Sequence, residues 1–200
     1  MVFVFDLDDT ICETDLFSEQ YIEKFITEHN LPYKKITDVA RFVDMKFDWS
    51  HESAHDWYFN FGDEMFLYFP VKNNSVEIIN QLYDDGHRIV ISTARASDWH
   101  KNPEEYTLAW LKNNGLKYHK LYIGRTDKEN ICKLEDADVF IDDDIDIVSK
   151  VKDYFKTKNK GQVFLSSTKY NQTQNIPEDI TTVKNFDEMI NYLGISQEKK

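Results

Sequence analysis

Acidic, hydroxyl and cationic side chains recur in this 200-residue chain where apolar runs stop. Val2, Phe3, Val4 and Phe5 lead into Asp6, Leu7, Asp8, Asp9 and Thr10. Ile89, Val90 and Ile91 lead into Ser92, Thr93, Ala94 and Arg95, and Val139, Phe140 and Ile141 lead into Asp142, Asp143 and Asp144. Between these last two runs lie Lys128 and Lys133. Such residue types suit phosphoryl transfer: an anionic ester resists attack, so its oxygens must be neutralised while a nucleophile is presented in line with the leaving group. A buried parallel strand reads as a continuous apolar run, and open α/β sheets bind ligands beyond the carboxyl ends of their strands. Each run therefore predicts a strand that delivers its polar residues to a sheet edge.

With an Asp-x-Asp pair, then Thr93 after a strand, then Lys128 and the late pair Asp142-Asp143, the chain resembles the haloacid dehalogenase (HAD) superfamily of phosphohydrolases. The resemblance implies that Asp6 is a nucleophile forming a covalent aspartyl-phosphate, which divides one hard step into two easier ones. It implies that Asp8 sits near the leaving oxygen, protonating the departing alcohol and later deprotonating the attacking water. Those duties ask for a carboxyl whose pKa is moved towards neutrality. Thr93 and Lys128 would hold phosphate oxygens, with Lys133 the alternative to Lys128. Thr10 and Arg95 are substrate-binding candidates. Arg95 could reach the substrate phosphate or a carboxylate of an inserted segment, and a surface salt bridge fits it equally well. Carboxylates crowded at one sheet edge repel each other, and a hard divalent cation is the usual remedy, so Mg²⁺ is the implied cofactor. Its ligands would be Asp6, the backbone carbonyl of Asp8, and one or both of Asp142 and Asp143.

The elements that must position these groups follow from where the strands fall. About eighty residues separate the first strand from the second, against the two to six of an ordinary βα loop, so something folded is inserted there. Leu16, Phe17, Tyr21, Ile22, Phe25 and Ile26 mark one apolar face of a helix over residues 15–30, and Ile36, Val39, Phe42 and Val43 continue in that style. Residues 13–70 read as a helical cap and residues 1–12 and 71–200 as an α/β core. By the resemblance this is a Rossmann-like HAD core with a parallel sheet and a C1-type cap, which closes over the site and selects the leaving group. After Pro70, Val76, Ile79, Leu82 and Tyr83 form a helix face stopped by Gly86. Pro103 opens another helix ending before Gly115, with Leu108 and Leu111 facing inward. Leu121–Ile123, Val139–Ile141 and Val163–Leu165 are further strands, residues 185–193 a last helix, and Gln197–Lys200 a frayed tail. In the family the first, second and fourth strands are neighbours, which would gather Asp6, Thr93 and Asp142. The cap position, Thr93-Ala94-Arg95, Thr107-Leu108-Ala109-Trp110-Leu111 and Ile141-Asp142-Asp143 most resemble the 5′(3′)-deoxyribonucleotidase-like branch. A nucleotide or similar small phosphate ester is then the expected substrate, with Trp49, Trp57, Tyr58 and Phe61 available either to stack a base or to form cap core.

Composition narrows the alternatives. Hydrophobic residues at 41% and aromatics at 14% can bury a core and a smaller lobe, and the chain is not of a disordered type. A net charge of −12 argues against a duplex nucleic-acid binder, which needs a basic face. It also disfavours a phosphatase of nucleic-acid 3′ ends, which would show a basic groove. A non-catalytic regulatory module is the other alternative, although such proteins often lose an acid equivalent to Asp6 or Asp8. Two cysteines, Cys12 and Cys132, lack metal-site spacing and suit a reduced, cytoplasmic setting as buried apolar residues. No signal peptide or membrane span is expected. His51-Glu52-Ser53-Ala54-His55 spells the His-Glu-x-x-His of zinc hydrolases, but no third ligand follows in a recognisable spacing.

Overall fold

The apolar run Val2–Asp6 forms strand β1 of a computed structural model that describes residues 1–124 and 127–195, the side chains of residues 43 and 44 excepted. The expected tail at Gln197–Lys200 lies outside the described residues. There follow α1 (Asp15–Glu28), α2 (Val43–Lys46), α3 (His51–Trp57), a π-helical turn (Tyr58–Gly62) and a 3-10 turn (Asp63–Leu67). The chain then alternates through α4 (Ser75–Asp84), β2 (Arg88–Ser92), α5 (Pro103–Asn113), β3 (Lys120–Tyr122), α6 (Lys128–Leu134), β4 (Val139–Asp142), α7 (Ile145–Lys158) and β5 (Gln162–Ser166). It closes with β6 (Thr181–Val183) and α8 (Phe186–Leu193). Among the described residues the strands form one parallel sheet in the order β3-β2-β1-β4-β5-β6. This is a Rossmann-like α/β arrangement, with β1 between β2 and β4.

Alternation across the pleat divides each apolar run between two layers. Phe3, Phe5, Ile89, Ile91 and Ile141 pack with Ile79 and Leu82 of α4, Trp110 and Leu111 of α5, and Met189 and Ile190 of α8. Val4, Val90 and Phe140 pack on the other face with Ile131 and Cys132 of α6 and Val148, Val151 and Phe155 of α7. Both cysteines are buried thiols. Helix α4 ends as Gly86 predicts: the glycine has φ +83°, and the Gly86 and His87 amides donate to the carbonyls of Tyr83 and Leu82. Among the described residues no helix is long and apolar enough to cross a membrane.

The inserted segment leaves and returns side by side. Glu13 N donates to Pro70 O at 2.8 Å, and Lys72 N to Ile11 O at 2.8 Å. Ile22 and Ile26 of α1 meet Trp49, Ala54 and Trp57, and this apolar cluster is continuous with the first layer of the sheet. Three expectations need correction. The stretch carrying Ile36, Val39 and Phe42 is irregular rather than a continuing helix, and those side chains are exposed. Nothing packs over that stretch to favour a helix, and helices this short need tertiary burial. On α5, Leu108 faces solvent while Thr107, Trp110 and Leu111 are buried, because Trp110 turns inward to donate from Nε1 to Phe69 O at 2.8 Å. Strand β6 was missed: Thr181-Thr182-Val183 is too short and polar to stand out, and pairing with β5 defines it.

Candidate active site

Strand register brings the acids together. Phe5 pairs with Ile91 on one side and Ile141 on the other, so Asp6 lies beside Ser92 and level with Asp142. Ligand oxygens of Asp6, Asp142 and Asp143 all lie within 4.8 Å of one another. From the start of α6, the buried Lys128 ammonium bridges two of them, donating to Asp6 Oδ1 and, at 2.7 Å, to Asp142 Oδ2. The other Asp142 oxygen accepts the Asp144 amide at 2.9 Å. Among the described residues no donor reaches the Asp143 carboxylate, whose backbone carbonyl accepts from Asn171 Nδ2 at 3.0 Å. Burial pushes Asp6 up to about 7, with Lys128 opposing and Asp142 and Asp8 adding to the rise. Asp143 is pushed well above the usual carboxylate range by burial and then by the charges of Asp142, Asp6 and Asp9. Burial works against the Lys128 charge, but Asp142 and Asp6 more than offset it and raise its pKa. Lys133 points outward and pairs with Glu129 at 2.5 Å.

Asp8 belongs to a second, adjoining group. The turn after β1 is tight: Leu7 O accepts the amides of Ile11 and Cys12, and Asp9 sits at φ +53°. The Asp9 carboxylate caps α1 through the amides of Thr14 and Asp15, each at 2.9 Å. Held by this turn, Asp8 accepts from Arg95 Nη2 at 2.6 Å, Arg95 Nε at 3.0 Å and Thr93 Oγ1 at 3.2 Å. Burial would raise Asp8, but the Arg95 charge, its hydrogen bonds and the Thr93 hydroxyl hold it below the usual carboxylate range. The resting direction is therefore opposite to the shift towards neutrality expected for this residue. Arg95 is no surface cation: it is buried, donates to Thr107 Oγ1 at 3.2 Å and lies 4.0 Å over the Phe66 ring.

Thr10 stands apart from both groups. It is fully buried, its hydroxyl has no hydrogen-bond partner, and it borders a small gap with Lys72, Ser166 and Phe186. Thr10 lines neither the cavity beside Asp8 nor the acid cluster, so the described geometry gives its hydroxyl no contact with either. The hydroxyl arrived at the strand end as foreseen, but the turn at Asp9 rotates it inward.

A cavity of about 670 Å³ opens directly from Asp8 and Arg95, within the size range of small-molecule sites. Its walls are largely apolar, with Met65, Phe66 and Phe69 deep, Tyr58 and Trp99 half-buried, and Phe42 and Met45 exposed at the rim. Arg41 lines the same space and pairs with Asp144, tying the irregular stretch to the start of α7. Of the aromatics expected to stack a base, only Tyr58 lines this cavity; Trp49 and Trp57 are core and Phe61 faces solvent. Phe66, Phe69, Trp99, Arg41 and His100 were not foreseen, since their common wall comes from separate segments that show no shared spacing. His51 and His55 pack against Trp99, and His55 Nε2 meets Asp98 O at 2.7 Å. Among the described residues the acids at 6, 142 and 143 are the one trio of His, Cys, Asp or Glu able to hold a metal, so the zinc reading has no third ligand.

Sequence comparison finds no matching family and no related curated protein. Solved structures do share the fold. The chain aligns with a haloacid dehalogenase-like hydrolase from Bacteroides fragilis at a TM-score of 0.61 and 14% identity, covering 94% of this chain and 99% of that one. Similarity extends to CbbY from Rhodobacter sphaeroides in complex with xylulose-(1,5)bisphosphate, at a TM-score of 0.59 and 12% identity over 94% and 95% of the two chains. It extends also to D,D-heptose 1,7-bisphosphate phosphatase from B. bronchiseptica complexed with magnesium and phosphate, at 0.52 and 10% over 96% and 97%. The fold is that of the HAD hydrolases. Against this HAD fold, the acids of β1 and β4 and the cavity beside them lie where the parallel strands end, the usual ligand position in open α/β sheets.

Proposed function

We propose that the protein is a Mg²⁺-dependent phosphomonoesterase of the HAD superfamily, acting on a small phosphate ester and foremost on a nucleotide. The observation that carries this reading is the meeting of Asp6, Asp142 and Asp143 beside a buried lysine, with the Asp8 carboxyl between that group and a ligand-sized cavity. Support comes also from the fold, shared with a phosphatase solved with magnesium and phosphate and a protein solved with a sugar bisphosphate. Residues 13–70 serve as the cap over residues 1–12 and 71–200, and the motifs resemble those of the 5′(3′)-deoxyribonucleotidase-like branch.

The donor set fits a hard divalent cation. Its atoms are carboxylate oxygens, and among the described residues Asp143 is buried without a hydrogen-bond donor, opposed by the charge of Arg41, which leaves its oxygens open to a cation. Asp6, Asp143, Asp142 and the Asp8 carbonyl would hold the ion, with Asp143 the direct ligand ahead of the doubly hydrogen-bonded Asp142. When bound, Mg²⁺ would neutralise the acids and phosphate oxygens.

The remaining steps belong to the chain's own groups. An Asp6 oxygen attacks phosphorus while the bond to the leaving oxygen breaks, and Asp8 gives that oxygen its proton. Water then attacks the aspartyl-phosphate, losing a proton to Asp8, and Asp6 is regenerated as inorganic phosphate departs. Lys128 keeps its two acids and turns its third N–H to a phosphate oxygen, while Thr93 exchanges Asp8 for the substrate. Asp8 carries a proton only once the Arg95 pair loosens, so Arg95 is the second group that must turn from carboxylate to phosphate. Activity towards a panel of phosphate esters, with and without Mg²⁺, tests the proposal. Asp6→Asn should lower turnover by about 10⁴-fold or more with the fold retained by circular dichroism. Unchanged turnover in that variant would overturn the nucleophile, and inactivity of the native protein on every ester would favour a binding module.

A further inference from the structure

The cavity beside Asp8 contains one buried polar device that the reaction does not use. His100 is buried in its wall, and its Nδ1 lies 3.1 Å from Asp63 Oδ1. The second Asp63 oxygen accepts the Asn102 amide at 2.8 Å, so this carboxylate joins the 3-10 turn of the inserted segment to the residue capping α5. Asp63 can only accept from His100 Nδ1 if that nitrogen carries the proton, which leaves Nε2 with its lone pair. Burial lowers the His100 pKa, with Asp63 opposing, which favours the uncharged ring. Among the described residues Nε2 has no hydrogen-bond partner, and it is not among the buried atoms sealed from solvent. The ring itself is fixed on three sides: the Phe66 ring centre is 4.6 Å away, the Tyr58 ring stands edge-on at 5.9 Å, and a Cβ at Gly62 would come within 3.4 Å of His100 Cε1.

We infer that His100 is the specificity-determining contact for the leaving group, that Asp63 is its positioning residue, and that the leaving group carries a heteroaromatic base. The inference rests on the phosphatase reading for where the phosphate sits. Asp8 lines the cavity and is the group proposed to face the leaving oxygen, so the cavity receives whatever that oxygen is attached to. Half-buried ring walls from Tyr58 and Trp99 suit a ring with faces to stack and one polar edge to satisfy. A single fixed acceptor answers one N–H on such an edge. A bare sugar would bring several hydroxyls and no flat face into a cavity whose walls are mostly apolar, so it would lose more water for fewer contacts than a ring.

The matched comparison is a nucleoside 5′-monophosphate against ribose 5-phosphate, with p-nitrophenyl phosphate as a ring lacking an edge donor. The native protein should favour the nucleotide over ribose 5-phosphate by about 100-fold or more in kcat/KM. His100→Phe should lower nucleotide kcat/KM by about tenfold, mainly through KM, a loss at least about fivefold greater than for either other ester. Asp63→Asn should move the same split in the same direction. Equal losses on all three esters would mark His100 as structural, and ribose 5-phosphate matching the nucleotide in the native protein would overturn the proposed leaving group. Calorimetric binding of the free nucleoside separates this inference from the reading beneath it. Hydrolysis of esters without nucleoside binding would sink the inference alone. Binding that His100→Phe abolishes, in a protein that hydrolyses nothing, would uphold the site and sink the phosphatase. Absence of both would sink both.

Discussion

At the ends of β1 and β4, Asp6 and Asp142 are fixed by strand register and share one buried lysine, whereas the cavity wall facing Asp8 is assembled from segments with no common periodicity. The first region is polar and dense with charge; the second is largely apolar, with Asp8, Arg95 and Arg41 at its polar end and His100 oriented by Asp63 in its wall. Burying like charges in the first is tolerable because Lys128 compensates two acids and the charge of Arg41 opposes that of Asp143. In the second, selectivity comes from shape and from one acceptor. On the proposed reading, chemistry that must be held to fractions of an ångström would sit on the rigid sheet, and discrimination on the inserted segment and the loops it touches.

The largest stability effect should come from breaking the compensation at the sheet edge. Lys128→Met keeps the length of the side chain and removes its charge, leaving Asp6 and Asp142 buried without their common donor. Loss of one partner of a buried ion pair costs about 3–5 kcal/mol, so denaturant unfolding should register a decrease of that order. Lys133→Met is the matched control on the same helix. Its lysine is half exposed and pairs with Glu129 one turn away, an interaction that solvent screens, so its loss should scarcely register. Equal losses in the two variants would remove the distinction between a compensated site and an ordinary surface.

Next in size is stabilisation by Mg²⁺. A ligand that binds only the folded state contributes about 2.7 kcal/mol at a hundredfold excess over its Kd. Thermal unfolding of the native protein should therefore move upward with added Mg²⁺ by an amount set by that relation. Asp143→Asn should keep the apo protein as stable as the native one or more so, because it removes a buried carboxylate lacking a donor, and should blunt the Mg²⁺ response. A response unaltered by Asp143→Asn would transfer the ligand role to Asp142. That outcome would leave the acid cluster standing and change only which member of the pair meets the ion.

Legibility in the sequence follows the same division. Continuous apolar runs ending in polar residues identified β1, β2, β4 and β5, since burial on both faces dictates composition, and the order β2-β1-β4 then brought distant acids together. Lys128 and the two acid pairs were legible because strand and helix ends restrict where their side chains can go. Where Thr10 would face was not legible: it follows a left-handed residue at Asp9 and borders a gap with Lys72 and Ser166, and nothing in the spacing reveals that turn. The irregular stretch at Ile36–Phe42 was misread because apolar spacing predicts a helix only if something packs on it, and those side chains are exposed. Trp99 and His100 were invisible for a related reason. Their role depends on Asp63 and Tyr58 arriving from another segment, which is tertiary information.

The smallest expected effect tests whether the inserted segment responds to pH on its own. Lys46 is buried between Asp15 at 2.5 Å and Glu19 at 3.0 Å, and Lys35 donates to Glu19 at 2.6 Å. Burial would raise Glu19, but the bonds and charges of Lys35 and Lys46 outweigh it and hold Glu19 below its ordinary value. A carboxylate with a depressed folded pKa contributes stability that is complete above its unfolded value, about 4.3, and is lost as pH falls through the folded one. Between pH 5 and pH 3 the inserted segment should therefore lose on the order of 1 kcal/mol from this group. Trp49 and Trp57 lie in the core of that segment, so a red shift of tryptophan emission should precede loss of far-ultraviolet dichroism as acid is added. Glu19→Gln should flatten that part of the pH response by removing the titrating carboxyl. If Glu19→Gln and native protein lose their tryptophan signal at the same pH, the segment is governed by the sheet beneath it, and the two regions titrate as one body.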